Sequence, residues 1–474
     1  MWKKKTQQDH ETGEGTPIPT QIVSNEEFPP LPQTPDQKKV EFRVKELADQ
    51  FASKLGISRR DFLKTSGGMA TGFLAMNEVF GENYQVNLAE AMDASAYKEL
   101  WPKTEFIFDA QTHHVKDSIK GPTMFRTMTA KAGINPDLEG ITPGPETLHR
   151  GNFVKEIFFD SDTVMAIMTG AVIGPPKHHA LPVEDMVGTR NVVNEAAGSQ
   201  RMLSHGLANP MDPAFVPEGM DYQVNELKID GWKCYTGNPT GAWLMDDKEV
   251  AYPFFEKSLK LGINNISLHK GLPLPGRFER FFKPDDIMQA AKDFPDINFI
   301  IYHSGMKHMM TMLPPGQSGI DADGYLPWTT DLCRMKKENP DVTNVYPELG
   351  AVFGHSVVTH PEICGHLLGQ LNEAFGADHI IWGTDCIWWG SPQWLIEAFR
   401  RYQQPENLQK QFSYESFTPA ERELIFGKNL AGLYGIDIEA ARTAIPGDSL
   451  STMKSAYIDH GAAPSNTQYG WVAV

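Results

Sequence analysis

Cysteine is scarce. Only Cys234, Cys333, Cys364 and Cys386 occur in a chain of 474 residues, and no two of them form a CxxC pair. That excludes a cysteine zinc knuckle and a disulfide framework. Long apolar runs are also missing. No window reaches the roughly 18 consecutive apolar residues that a permanent membrane-spanning helix requires. Basic residues are outnumbered, with 43 Lys and Arg against 60 Asp and Glu, so the net charge is −17. A nucleic-acid partner needs a basic footprint, and none is present. No GxGxxG turn follows the first β-rich run, which removes the commonest dinucleotide signature. What is present, 41% hydrophobic and 22% charged residues, is ordinary globular composition with chain enough for a large core.

Residues 1–57 contain the Pro-rich stretches "GEGTPIPTQ" and "FPPLPQTPDQ" and are expected to be a largely disordered extension. Weak helical periodicity shows only in "KKVEFRVKELADQFASKLG". Residues 58–95 are different. Ser58-Arg59-Arg60-Asp61-Phe62-Leu63-Lys64 resembles the twin-arginine export signal at every position of its pattern, Ser/Thr-Arg-Arg-x-Phe-Leu-Lys. A modestly apolar stretch follows, broken by Asn77 and Glu78, and "LAEAMDASA" offers small-residue cleavage sites. This resemblance implies the twin-arginine translocation machinery as a partner. It also implies a folded protein delivered to the periplasm or otherwise exported.

Over residues 96–440 short apolar runs alternate with helix-compatible segments. The runs are "EFIFDA" (105–110), "TVMAIMTG" (163–170), "RMLSHGL" (201–207), "IDGWKCY" (229–235), "NNISLHK" (264–270), "NFIIYHSG" (298–305), "TNVYPEL" (343–349) and "HIIWGTD" (379–385). Such alternation argues for βα units around a parallel sheet. Eight units predict a closed (β/α)8 TIM barrel with loop insertions, in preference to an open doubly wound sheet. Residues 441–474 lack periodicity and read as a C-terminal tail.

Polar residues recur at the C-terminal ends of these runs: Asp109, Gln111 and His113, then Lys233, His269, His303 and Asp385. In a barrel those ends meet at one mouth, where active sites form. Imidazole and carboxylate together are the ligand set of a divalent transition metal, zinc first, with manganese also compatible.

The ordered set resembles the amidohydrolase superfamily, in particular the amidohydrolase-related branch that contains aminocarboxymuconate semialdehyde decarboxylase and the resorcylate-type decarboxylases. The family's Asp-x-His-x-His stands here as Asp109-Ala110-Gln111-Thr112-His113. It is followed by "SLHKG", "IYHSG", "WGTD" and the closing "FGKNLAGLYGI" (426–436). The resemblance implies one divalent metal ion held by His113, His269 and Asp385, with His303 handling protons or polarising the substrate. It also implies that Asp385 accepts a proton from metal-bound water. Gln111 departs from the pattern, and three arrangements stay open: Gln111 as a fourth ligand, Gln111 behind the other three, or no metal at all. Lys233 stands where a bridging carboxylated lysine occurs in binuclear relatives. With the first histidine of the motif absent, it reads as a substrate-binding or structural lysine. Trp388, Trp389 and Trp394 either pack the eighth loop or wall a flat substrate. His178, His179 and His205 are candidates for substrate contact, and His114, on the opposite side of the strand, is structural.

The reading that comes first is an exported metal-dependent hydrolase that activates water against a small organic substrate. The second is a non-oxidative decarboxylase on the same scaffold. The third is a periplasmic binding protein that has lost catalysis. A homo-oligomer is compatible with all three.

Overall fold

The β-branched, apolar runs form strands that are buried on both faces, the habit of parallel sheets. In the computed structural model, which describes residues 2–4, 15–24, 30–119, 146–170, 179–273, 278–307, 323–462 and 470–473, seven of the eight expected runs are strands. They are β1 (Phe108–Thr112), β2 (Met165–Met168), β3 (Met202–Ala208), β4 (Gly231–Tyr235), β5 (Asn265–His269), β6 (Asn298–Tyr302) and β7 (Val345–Pro347). All neighbours pair in parallel in chain order.

The eighth run closes the ring without forming a strand of its own. On one side Ile381 N–H donates to Pro347 O (2.9 Å) and Leu349 N–H donates to Ile381 O (3.1 Å). On the other side Ala110 N–H donates to Trp382 O (3.0 Å) and Asp385 N–H donates to Gln111 O (2.9 Å). Single parallel bridges join Glu348 to Ile381 and Thr112 to Cys386. The fold is therefore the α/β TIM barrel that the alternation predicts.

Alternation along each strand divides the core in two. Phe108, Ile167, Leu203, Ile300, Tyr302 and Ile381 fill the barrel interior, whose lower end is plugged by Leu430, Ala431 and Ile445. Ile107, Ala166, Trp232, Leu268 and Ile301 face outward to the helices. A fully buried Leu, Ile or Phe among them contributes about 1.5–3 kcal/mol relative to exposure.

One irregularity decides where the chemistry points. The β1–β2 register slips between Asp109 and Thr112, so β1 carries one extra residue there. Phe108 and Ala110 face the interior, and without the slip Gln111 and His113 would face out. The bulge reverses the phase and turns both into the mouth.

Ahead of the barrel lie α1 (Pro35–Leu55), α2 (Arg59–Leu63) and α3 (Ser66–Phe80), followed by two short helices, Leu88–Met92 and Ala94–Leu100. α1 starts at a capping box between Thr34 and Gln37 with Pro35 in its first turn, and it stops at Gly56, whose φ of 71° favours glycine. After the barrel, Ser449–Asp459 is a helix capped by Asp448, and the same carboxylate meets Arg201 at 3.2 Å. Periodicity gives no hint of this helix, because cap and ion pair specify it. Trp2–Lys4 and Trp471–Ala473 pair antiparallel. Among the described residues no helix is long and apolar enough to cross a membrane.

Candidate active site

The mouth holds two groups of polar side chains. The first is a triangle. Gln111 Nε2 lies 2.9 Å from Asp385 Oδ1 and 3.2 Å from His113 Nε2, and His113 Nε2 lies 3.0 Å from Asp385 Oδ1. His113 Nδ1 donates to Thr169 O at 2.9 Å, which leaves a lone pair on Nε2 directed at a carboxylate oxygen. That edge calls for a proton or a cation to be shared across it. Edges of this length match the spacing of donor atoms on one face of a divalent ion about 2.1 Å away, provided that the amide turns its oxygen inward. As placed, Gln111 Oε1 faces away, and it meets no donor among the described residues.

The second group is a histidine pair. His269 Nε2 donates to Leu272 O at 3.2 Å, so its Nδ1 is the acceptor for His303 Nε2–H, also at 3.2 Å. The remaining His303 nitrogen, Nδ1, is a buried lone pair with no hydrogen-bond partner among the described residues. Both imidazoles are held well below the usual histidine range. Burial is the main cause for each; Lys233 adds to it for His269, and His269 followed by Lys233 for His303. The chain at His303 and Ser304 is left-handed, with φ of 61° and 49°, and Asp385 has φ of 56°. Non-glycine residues in that region cost about 1–3 kcal/mol each, and here they turn side chains at two strand ends into the mouth.

Lys233 reaches from β4 across the interior. Its Nζ stands 3.7 Å from the centre of the Tyr302 ring and 4.9 Å from that of Tyr235. Tyr235 stacks on His269 with ring centres 4.3 Å apart, and Tyr302 OH donates to Ala110 O. An ammonium beside two aromatic faces is stabilised by their quadrupoles.

Two buried carboxyls complete the site. Asp109 accepts from Thr384 Oγ1, Thr384 N–H and Gln111 N–H, yet burial still pushes it up to about 7. Glu348 follows β7, and its Oε2 accepts His303 N–H at 3.1 Å. Burial raises Glu348 well above the carboxylate range, with Asp385 and Asp109 adding to the effect. Its Oε1 lies so close to the eighth segment that a Cβ at Gly383 would stand 1.8 Å from it, so any larger residue there would have to displace the Glu348 carboxyl.

Of the residues expected from sequence, Gln111, His113 and Asp385 come together, His269 pairs with His303, and Lys233 lies among them. Trp388 stands over the site, with its ring centre 5.7 Å from that of His113. Trp389 and Trp394 are buried in the core behind it. His269 has both nitrogens engaged away from the triangle. Among the described residues no three His, Cys, Asp or Glu side chains are placed to hold a metal, so the third donor of any metal set here is an amide.

His205 is not at the mouth. It sits in mid-β3, with Nε2 2.6 Å from Tyr434 OH beside the plug, and burial followed by Lys233 lowers it to about 3. His114 bonds to Val115 O and Thr189 Oγ1, a structural role. His178 lies outside the described residues, and His179 is buried. Glu348, Tyr235, Tyr302 and Thr169 were not among the expected site residues.

Comparison with known proteins places the family. Among solved structures, the chain is similar to an uncharacterised TIM-barrel protein of Bordetella bronchiseptica (16% identity, 70% of this chain and 98% of that one, TM-score 0.44). It is also similar to the 2,6-dihydroxybenzoate decarboxylase of Rhizobium (15%, 70% and 100%, TM-score 0.39). A third is a dihydroxybenzoic acid decarboxylase of Polaromonas with bound manganese and 2-nitroresorcinol (14%, 70% and 98%, TM-score 0.37). No curated protein matches. The amidohydrolase family model matches residues 182–436, more than half of the chain and the span that carries β3 to β7, the eighth segment and the closing helix. The chain therefore belongs to the amidohydrolase family of enzymes.

Proposed function

We propose that the barrel mouth binds a small carboxylate with a flat, apolar body and releases its carboxyl group as carbon dioxide, a non-oxidative carboxy-lyase reaction. The observation that carries this reading is Lys233, a cation inside the barrel facing Tyr302 and Tyr235, beside two imidazoles kept neutral. One ammonium framed by aromatic rings suits an aromatic anion better than a neutral ester or amide.

The step replaces carboxyl by hydrogen. A proton adds to the carbon that bears the carboxylate, and the carbon–carbon electron pair stays with that carbon as carbon dioxide leaves. His303 is the proton carrier. Its Nδ1 has no hydrogen-bond partner among the described residues, while its Nε2–H is anchored on His269. Neutral at rest, His303 first takes up a proton from solvent at Nδ1, and its low basicity then makes that imidazolium a strong donor towards carbon, which returns His303 to its neutral form. Trp388 and Tyr235 flank the body of the substrate and keep water from it.

His113, Asp385 and Gln111 would hold a divalent cation, and when bound it would supply Lewis acidity towards substrate oxygens. Two oxygen donors and one imidazole favour manganese over zinc.

The test is a product assay with 2,6-dihydroxybenzoate as the first probe, in the presence of manganese. Carbon dioxide release with formation of resorcinol is the expected result. Turnover of esters, lactones or amides without carbon dioxide would overturn the reading in favour of hydrolysis.

A further inference from the structure

The stretch that reads as an export leader is built into the folded protein. α2 buries Phe62 and Leu63, and α3 buries Ala70, Phe73, Ala75 and Met76. At Gly68 a Cβ would stand 2.6 Å from both Leu63 Cα and Phe62 O, so the arginine-bearing turn is seated directly on α3. Ile18 of the preceding segment packs as tightly on Gly72. Arg59 Nη1 is tied to Asp49 on α1 at 2.6 Å.

Downstream, the chain is stitched to a barrel helix, α4 (Gln393–Arg401). Gln85 N–H donates to Arg401 O (2.7 Å), and Gln403 N–H donates to Asn83 O (2.8 Å). The fully buried Arg401 guanidinium meets Glu90 at 2.7 Å and Glu397 at 3.2 Å, and Tyr97 OH donates to Glu397 at 2.5 Å. The small-residue site Ala94-Ser95-Ala96 is the first turn of a helix, Ala94–Leu100, capped by the Asp93 side chain on Ser95 N–H. A processing protease needs an extended chain, which a capped helix does not offer.

We propose that residues 58–101 are a retained clasp rather than a removable leader: in the folded protein Arg59 is ion-paired to Asp49, the small-residue site is closed, and the clasp braces α4 behind the loop that carries Asp385 and Trp388. Cutting after Ala96 would take Glu90 from Arg401 and leave a buried cation short of a partner, while Phe73 and Tyr84 would leave the ring cluster they form with Tyr402. Arg60 stays exposed, so an export function of the arginine pair would then act without removal of the segment.

The experiment uses the full chain, expressed in a host with an active twin-arginine pathway. Intact mass and N-terminal sequencing are read on the folded protein from each cell fraction, with hydrogen exchange by mass spectrometry. The expected result is a chain that keeps residues 58–96 in every fraction. α3 amides should be protected on the order of a thousandfold over free chain. A folded protein beginning at or near Tyr97, or α3 amides exchanging at free-chain rates, would overturn the proposal. Gly68→Val should raise α3 exchange at least about tenfold while β4 and β5 stay protected. Unchanged α3 protection in that variant would count against the clasp as well.

Discussion

Replacing Lys233 by Met removes the one charge on which the carboxylate reading rests and keeps the length of the stem. Lys233 is fully buried, with its Nζ 3.7 Å from the Tyr302 ring, so the Met side chain fills the same channel against the same face. A contact between an ammonium and a substrate carboxylate in this setting is worth about 1.5–3 kcal/mol net of desolvation. Losing it weakens carboxylate binding by about 10- to 150-fold. The variant should also lose the depression that Lys233 imposes on His269 and His303, but not the larger part that burial imposes. Titration of a non-reactive aromatic carboxylate by calorimetry measures the affinity directly, and the corresponding phenol without a carboxyl serves as the control. The reasoning predicts a loss for the carboxylate and little change for the phenol. If both ligands weaken equally, or neither does, Lys233 does not meet the carboxylate and the argument for a carboxy-lyase loses its foundation.

Other outcomes follow from the same geometry. Gln111→Glu puts a charge next to His113 and should tighten manganese binding at least about tenfold in a chelator competition; equal affinity in both proteins would show that residue 111 is not a ligand. His303→Ala should leave metal content unchanged and lower the rate about 10²–10⁴-fold, the scale of a positioned proton donor, whereas metal lost in proportion to rate would make His303 a ligand. Acid should destabilise the fold. Burial lowers His114 and His360 to about 4 and His205 and His355 to about 3, and His269 and His303 lie well below their usual value. A lowered histidine contributes its full stability above the unfolded value near 6.5 and loses it as pH falls, about 2 kcal/mol each by about pH 5. Asp109 and Glu348, both raised, run the opposite way, but two carboxyls do not offset six imidazoles. Denaturant midpoints should therefore fall steeply between about pH 7 and 5, and a flat profile would refute the assignment of neutral histidines.

The barrel was legible because each strand is buried on both faces and writes an apolar run into the sequence. The run 379–385 was legible as a position in the ring but not as a non-strand. Gly383, pressed against Glu348, and the left-handed Asp385 break the ladder there, and neither constraint has a local sequence signal. His205 was a candidate for substrate contact, but β3 continues to Ala208 and leaves it in the interior next to Tyr434. Glu348 could have been found by the rule that found His269 and His303, since it stands at the C-terminal end of a predicted run. It was absorbed into the run instead. The bulge in β1 was invisible, because an extra residue in one strand is defined only against its neighbour.

That bulge gives Gln111 its meaning. The phase shift aims an amide at the place where a basic or charged donor is expected, beside Asp385 and His113. An amide adds no charge, so the triangle carries only the negative charge of Asp385, and that carboxylate already accepts from the amide itself. Across the mouth Lys233 contributes a positive charge, and its field is felt by His269 and His303. A divalent cation in the triangle is therefore opposed by the lysine and under-neutralised by its donors. An anionic substrate meets the reverse situation, because lysine and cation would both attract it. On the proposed reading, Gln111 and Lys233 act in the same direction: they would weaken the grip on metal and strengthen the grip on a carboxylate.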